Sequence, residues 1–366
     1  MFPKKIALLI SFLLISIVST SQTQNSSKTF LYQGRIDKLQ DDNVILIGTA
    51  SSVSFNFIGN ECSIALQSVD SYEHHNYVQL VLDGKYIGKI RIEKGDVQTF
   101  PIKVTSNKKE HRLEIYKNTE AQSGNILFAG TTAKLITISF KKKKKIEFIG
   151  DSITCGAASD PSDIPCDKGE YMDHHNSYYA YGPRLSRTIG ADYLMSCVSG
   201  IGMYRNWNDE NKDEAIMPDI YQNLYLTKDP SKPKYDFVFQ PDIISIALGT
   251  NDFSGGDGKK ERLPFNPEKY VSNYINFIKM LYKHNPNVQI VITNSPMVGG
   301  ERAVVFEDCL NKVKNAFEND KAHKPIQIFK FKPMTPKGCS GHPDVADHKV
   351  LAAEYAPFLK SLLHEK

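Results

Sequence analysis

The chain is 366 residues long, 41% hydrophobic and 23% charged, with a formal net charge of +4. That length points to two domains, and the composition excludes a disordered or fibrous chain. So small a charge, with no basic stretch interleaved with aromatics, excludes nucleic acid as the expected partner.

Residues 1–21 read as a signal peptide. Lys4 and Lys5 open the segment, residues 6–18 are apolar but too short to span a bilayer, and Ser19 and Ser21 occupy the −3 and −1 positions of a cleavage site. The mature chain is expected to begin near Gln22, secreted or periplasmic, and free of the membrane once cleaved. A retained anchor is the competing reading.

Residues 25–140 show short strands and turns without helical periodicity. Residues 51–58 alternate with period two, 62–66 continue in that style, and 76–82 with 86–92 form a hairpin around Asp83-Gly84. Residues 111–116 and 133–140 add further strands, which together predict an all-β unit, a β-sandwich of jelly-roll size. Five lysines at 141–145 mark the change of pattern. Without an aromatic partner, they read as a solvated joint rather than an anionic-polymer site.

Residues 145–366 alternate strands with helices. Strands are expected at 146–149, 192–198, 242–248, 288–293 and 326–331, and helices at 178–188, 267–283, 302–319 and 344–363. The class is α/β: a flavodoxin-like three-layer unit with a five-stranded parallel sheet, whose ligands bind at the carboxyl ends of the strands.

Four segments with chemical potential fall at that edge. The first strand ends in Gly150-Asp151-Ser152, where a serine on a strand-to-helix turn exposes its hydroxyl. The second ends in Ser199-Gly200-Ile201-Gly202, and the third in Gly249-Thr250-Asn251-Asp252. Gly341-His342-Pro343 opens the last helix. Taken singly these are an N-cap serine, a turn glycine, an Asx-turn asparagine and a loop histidine. Together they supply a nucleophile (Ser152), a general base (His342) and oxyanion donors from the Ser152 and Gly200 amides and the Asn251 side chain.

These blocks resemble those of the SGNH/GDSL hydrolases. Within that superfamily the chain is similar to carbohydrate esterase family 2, the acetylxylan esterases with an N-terminal jelly-roll domain. The matching stretches are 148–156, 199–207, 248–253 and 338–343. The resemblance implies an esterase that removes O-acetyl groups from plant-wall polysaccharides such as xylan or glucomannan without a metal; a monomer with no cofactor is expected. The chain departs from the pattern in one respect. An aspartate is usual three or two residues before the histidine, and Cys339 and Ser340 stand there. A Ser-His dyad is therefore expected, with a backbone carbonyl of the 337–341 loop orienting His342, and with Asp344 and Asp347 pointing away into the helix.

Trp207, the only tryptophan, follows the glycine block, and with Tyr204 it reads as a sugar-binding platform in a loop that Arg205 and Asn206 mark as exposed. Export makes the six cysteines disulfide candidates: Cys155 with Cys166 in one loop, and Cys309 near Cys339, leaving Cys62 and Cys197 as buried thiols. The pairs His74-His75 and His174-His175 read as surface residues. Competing functions are an SGNH lipase- or thioesterase-like acyl hydrolase and an inactive carbohydrate-binding protein. The polar, acidic segment 160–175 disfavours a lipid lid, and the intact Ser152, Asn251 and His342 disfavour loss of activity.

Overall fold

The structure, a computed structural model, describes residues 26–40, 43–69, 74–209 and 214–364. The signal-peptide reading lies outside the described residues. The N-terminal part comprises β1 (Ser26–Lys28), β2 (Phe30–Gln33), β3 (Ile36–Lys38), β4 (Val44–Leu46), β5 (Ser52–Ile58), β6 (Glu61–Val69) and β7 (Asn76–Leu82). It continues through β8 (Lys85–Ile92), β9 (Gln98–Lys103), β10 (Glu110–Lys117), β11 (Asn125–Thr131), β12 (Lys134–Ile136) and β13 (Ile138–Phe140). One antiparallel sheet runs β12-β5-β10-β7-β8, with β2 also on β5, and the other runs β3-β4-β11-β6-β9. Alternation drives this arrangement. In β6, Cys62, Ile64, Leu66 and Ser68 face inward, and the first three join Val53, Phe55 and Phe57 of β5 in the sandwich core. The sequence pattern missed β1 to β4, β9 and β11. The first four have only three or four residues, β9 is an edge strand interrupted by Pro101, and the register of β11 shifts between Phe128 and Thr131.

The C-terminal part has the expected parallel sheet, ordered β15-β14-β16-β17-β18. Its strands are β14 (Lys145–Gly150), β15 (Asp192–Cys197), β16 (Ile243–Ala247), β17 (Gln289–Thr293) and β18 (Gln327–Phe329). The helices are α1 (Ser152–Cys155), α2 (Tyr181–Ile189), α3 (Met217–Ile220), α4 (Thr250–Phe253), α5 (Pro267–His284), α6 (Gly300–Asn315) and α7 (Val345–His364). The central strands are apolar on both sides because both faces are covered. Ile149 and Ile246 pack under α5 and α6, whereas Phe148 and Tyr193 pack under α2 and α7. In register, Gly150 pairs with Cys197 and Ala247, so three chain segments leave the sheet side by side.

The sandwich is packed against both apolar layers of this unit. Ile47 and Ala121 belong to one layer's core, and Ala50, Val81 and Tyr116 to the other's. Lys143 and Lys144 at the joint pair with Asp192 and Asp242. Arg35, fully buried, reaches from the sandwich into the parallel-sheet part. It donates to Ser196 Oγ (3.1 Å), Asn223 O (2.9 Å) and Tyr221 O (3.0 Å), and its guanidinium lies 4.4 Å from the Tyr235 ring centre. Burial pushes the carboxyl of Glu147 up, and the charge of Arg35 works against that shift. The Ser196 hydroxyl bridges the two, accepting from Arg35 and donating to Glu147, so losing the guanidinium leaves buried acceptors and a buried acid uncompensated. Arg35→Ala is therefore expected to cost about 3 kcal/mol or more in urea unfolding, with both parts still melting in one transition. A loss below about 1 kcal/mol would show that Arg35 is peripheral to the joint.

Candidate active site

Ser152 begins α1 directly after β14. The Asp151 side chain caps this helix by accepting from the Ile153 amide (3.0 Å), and left-handed Gly156 ends it. Ser152 is only 7% exposed, and its Oγ lies 2.9 Å from His342 Nε2. Nδ1 of His342 donates to the Ser340 carbonyl at 3.0 Å. Ser340 takes a left-handed backbone (φ 51°, ψ 33°) within the tight turn Cys339–Gly341. With Nδ1 carrying the proton, Nε2 is left as an acceptor facing the serine, as a general base requires. Asp344 and Asp347 are engaged elsewhere. Asp347 accepts from the Lys337 and Asp344 amides, and Asp344 accepts from the Asp347 amide.

Gly200 (φ 74°) and Asn251 occupy the neighbouring strand ends. The Asn251 amide donates to Ile201 O at 2.8 Å and reaches Asp151 Oδ2 only at 3.5 Å, so its second hydrogen is loosely held. Burial pushes the Asp151 carboxyl up to about 7. Asp252 fixes the loop after Gly200 by accepting amide hydrogens from Met203, Tyr204 and Arg205. Burial still holds its carboxyl at about 6 despite those donors. A Cβ on Gly202 would fall 1.9 Å from Arg205 O, so only glycine lets this loop close around the carboxylate.

Residues of the sandwich complete this edge. Lys117, at the end of β10 and fully buried, donates to Thr119 O, Thr119 Oγ1 and the Glu120 carbonyl, bending residues 117–120. Asn118 then donates to His175 O (2.8 Å) and accepts from the Ser177 amide (3.0 Å). Gln79 holds Asn176, Ser177 and Tyr178, while His75 and Tyr77 bind Asp173. Segment 160–178 is thereby strapped over the strand ends. Glu120 accepts from His175 Nε2 (3.2 Å) and from both the amide and the hydroxyl of Ser199. Tyr171, 39% exposed on the strap, places its hydroxyl 3.2 Å from Ser199 Oγ and 3.3 Å from His342 Nε2.

Several expectations are corrected. The disulfides are Cys155–Cys197 and Cys166–Cys339, not Cys155–Cys166, and Cys309 remains a buried thiol with Cys62. Cys155 sits in the turn after β14 and faces the end of adjacent β15. Cys166 is carried by the strap to the His342 turn instead. His75, His174 and His175 are buried rather than superficial, because the strap is clamped under the sandwich. Tyr204 is a core residue. Its hydroxyl accepts from the Asn266 amide and its ring packs against Phe265, which removes it from substrate. Arg205 is likewise buried, donating to Asp252 O and Leu263 O. Trp207 alone of that group is open, 48% exposed, with its amide bonded to Gly200 O at 2.7 Å. Sequence reasoning missed Glu120, Tyr171 and His175, since no motif links a β-strand end to a site more than thirty residues later. Among the described residues, no group of three or more His, Cys, Asp or Glu is placed to hold a metal ion.

Comparison with known proteins agrees with this geometry. Residues 32–137 match the carbohydrate esterase 2 N-terminal model, and residues 148–338 match the GDSL-like lipase/acylhydrolase family. An acetylxylan esterase / glucomannan deacetylase from Cellvibrio japonicus is 31% identical over 287 residues, covering 76% of each chain. The chain belongs to the GDSL-like acylhydrolases, in carbohydrate esterase family 2. The cellulase/esterase CelE of Acetivibrio thermocellus is 28% identical over 358 residues, 94% of this chain but 41% of its own length. A solved family two carbohydrate esterase from Clostridium thermocellum, in complex with cellohexaose, superposes with a TM-score of 0.79 at 26% identity. The match covers 91% of this chain and 99% of that one.

In this carbohydrate esterase, burial lowers the His342 pKa from its ordinary 6.5, and the Ser340 carbonyl partly offsets the shift. Nε2 must be unprotonated to accept from Ser152, so a lowered pKa extends activity toward acid. On an aryl acetate, kcat/KM should rise through an apparent pKa below 6.5. An acid limb centred above about 7 would contradict the tautomer and burial described.

Proposed function

We propose that this carbohydrate esterase is exported and removes O-acetyl groups from plant cell-wall polysaccharide of the xylan or glucomannan class. Ser152 attacks the acetyl carbonyl while its proton passes to His342 Nε2. The Ser152 and Gly200 amides and the Asn251 side chain take up the oxyanion, Asn251 turning its loosely held hydrogen from Asp151. The imidazolium then protonates the departing sugar oxygen. Water, deprotonated by His342, attacks the acetyl-enzyme, and its collapse returns Ser152 and releases acetate. The observation that carries the reading is the 2.9 Å Ser152–His342 contact at the ends of β14 and the last turn. It is supported by the names of the Cellvibrio relatives. Trp207, exposed beside Gly200, is the surface on which a sugar ring would stack. Among the described residues no helix is long and apolar enough to cross a membrane.

Acetate release from acetylated xylan and glucomannan tests the reading. Ser152→Ala and His342→Ala should each lower kcat at least about a thousand-fold, and Asn251→Ala about a hundred-fold with KM nearly unchanged. EDTA should leave the rate unaltered. Activity surviving in Ser152→Ala, or lost to EDTA and restored by a divalent metal, would overturn the mechanism.

Trp207→Ala separates polymer recognition from chemistry. KM should rise several-fold for acetylated oligosaccharides and stay within about two-fold for a small aryl acetate. Equal losses on both substrates would place Trp207 in the scaffold rather than against the sugar.

A further inference from the structure

His342 has no carboxylate on its Nδ1 side, yet a buried carboxylate faces its other side through two hydroxyls. The directions of the hydrogen bonds at Glu120 are fixed by their neighbours. His175 Nδ1 accepts from the Ala158 amide (3.3 Å), so His175 Nε2 carries the hydrogen given to Glu120. The Ser199 amide and hydroxyl both donate to Glu120, leaving the lone pairs of Ser199 Oγ for the Tyr171 hydroxyl at 3.2 Å. With its hydrogen given to Ser199, Tyr171 turns its own lone pairs toward His342 Nε2 at 3.3 Å. Each link polarises the next, and the negative end of the chain meets the imidazole where positive charge develops.

We propose that Glu120, contributed by the sandwich, is a positioning residue for the esterase reaction, acting on His342 through Ser199 and Tyr171. This rests on the serine-esterase reading above. The step balances within that mechanism. The proton leaves Ser152 Oγ for His342 Nε2 and later joins the leaving sugar oxygen, while the Tyr171 and Ser199 hydroxyls keep their own hydrogens. During the interval the imidazolium N–H lies beside the Tyr171 oxygen, which accepts from it until the leaving group does. Glu120 also holds the Ser199 amide next to Gly200, tying the oxyanion loop to the same carboxylate. The donors from His175 and Ser199 keep Glu120 below the usual carboxylate range against the opposing effect of its burial, so it is charged wherever the enzyme works. Its charge raises the His342 pKa, whereas burial and His175 lower it.

Other ionisable groups border this chain and are untouched by the variants below. Lys117 binds the Glu120 carbonyl, and Asp151 precedes Ser152. His348 is kept neutral by burial, which pushes it down to about 3.

The test compares full-length Glu120→Gln, Ser199→Ala, Tyr171→Phe and the Glu120→Gln/Tyr171→Phe double variant on an aryl acetate across pH, with Ser152→Ala as control. Glu120→Gln and Tyr171→Phe should each lower kcat roughly ten-fold or more with KM within about two-fold, and the double variant should be no worse than the worse single. The acid limb of kcat/KM should move to lower pH in Glu120→Gln, because loss of the negative charge makes His342 easier to deprotonate. A folded Glu120→Gln with unchanged kcat and acid limb overturns the proposal, as do losses that multiply in the double variant. Should Glu120→Gln fail to fold, Tyr171→Phe and Ser199→Ala decide: unchanged kcat and acid limb in both overturn it. Activity retained in Ser152→Ala defeats the serine-esterase reading itself, a result none of the other variants can mimic.

Discussion

The active edge depends on one buried bend in the chain. Lys117 is fully buried with no carboxylate on its Nζ, and three oxygens, two of Thr119 and the Glu120 carbonyl, satisfy it. Burial pushes its pKa down to about 7. A cation-forming group removed from water must find such acceptors or destabilise the fold. Residues 117–120 supply them by curling back on the strand end. That curl aims Asn118 at the strap and Glu120 at the oxyanion loop. The sandwich is thus a wall of the candidate active site as well as a neighbour of it.

The proposed catalytic pair, Ser152 and His342, is built from local geometry. The Ser340 carbonyl, presented by a left-handed residue, orients His342 where a side-chain acid is more usual. A carbonyl carries only a partial charge, so the imidazole is less basic than one beside a carboxylate, and its burial adds to that. The gain is a base that stays neutral in mild acid. The cost is a weaker partner for the imidazolium, which the Tyr171 side of the ring is placed to offset. The Cys166–Cys339 and Cys155–Cys197 bonds hold the strap and α1 against this pair.

The parallel-sheet part was legible because its strands are continuous apolar runs and its active residues sit in short motifs at their ends. Ser152, Gly200, Asn251 and His342 converge on one edge for that reason, and even the backbone acceptor for His342 follows from Cys339 and Ser340 standing where an aspartate would. Partners distant in sequence were not legible. Cys155 meets Cys197 across adjacent strands, and His175 meets Glu120 across the seam between the two parts. Neither pairing leaves a periodic or spacing signal. Tyr204 misled because aromatic residues beside a glycine block suit a core as well as a platform, and only packing against Phe265 and Tyr270 distinguishes them.

This dependence of Ser152 and His342 on the seam between sandwich and strap is open to direct measurement. Its most direct test is the rate at which a fluorophosphonate labels the full-length protein, with the modified peptide identified, in the native sequence and in Asn118→Ala. The Asn118 side chain makes its hydrogen bonds to the strap backbone, at His175 and Ser177, while its amide stays bonded to Tyr77 O in either form. Ser152 should carry the label in both, and a still-folded Asn118→Ala should react roughly ten-fold or more slowly, since small displacements of a nucleophile and its base are expensive. Equal labelling rates, or a label on any residue other than Ser152, would contradict it.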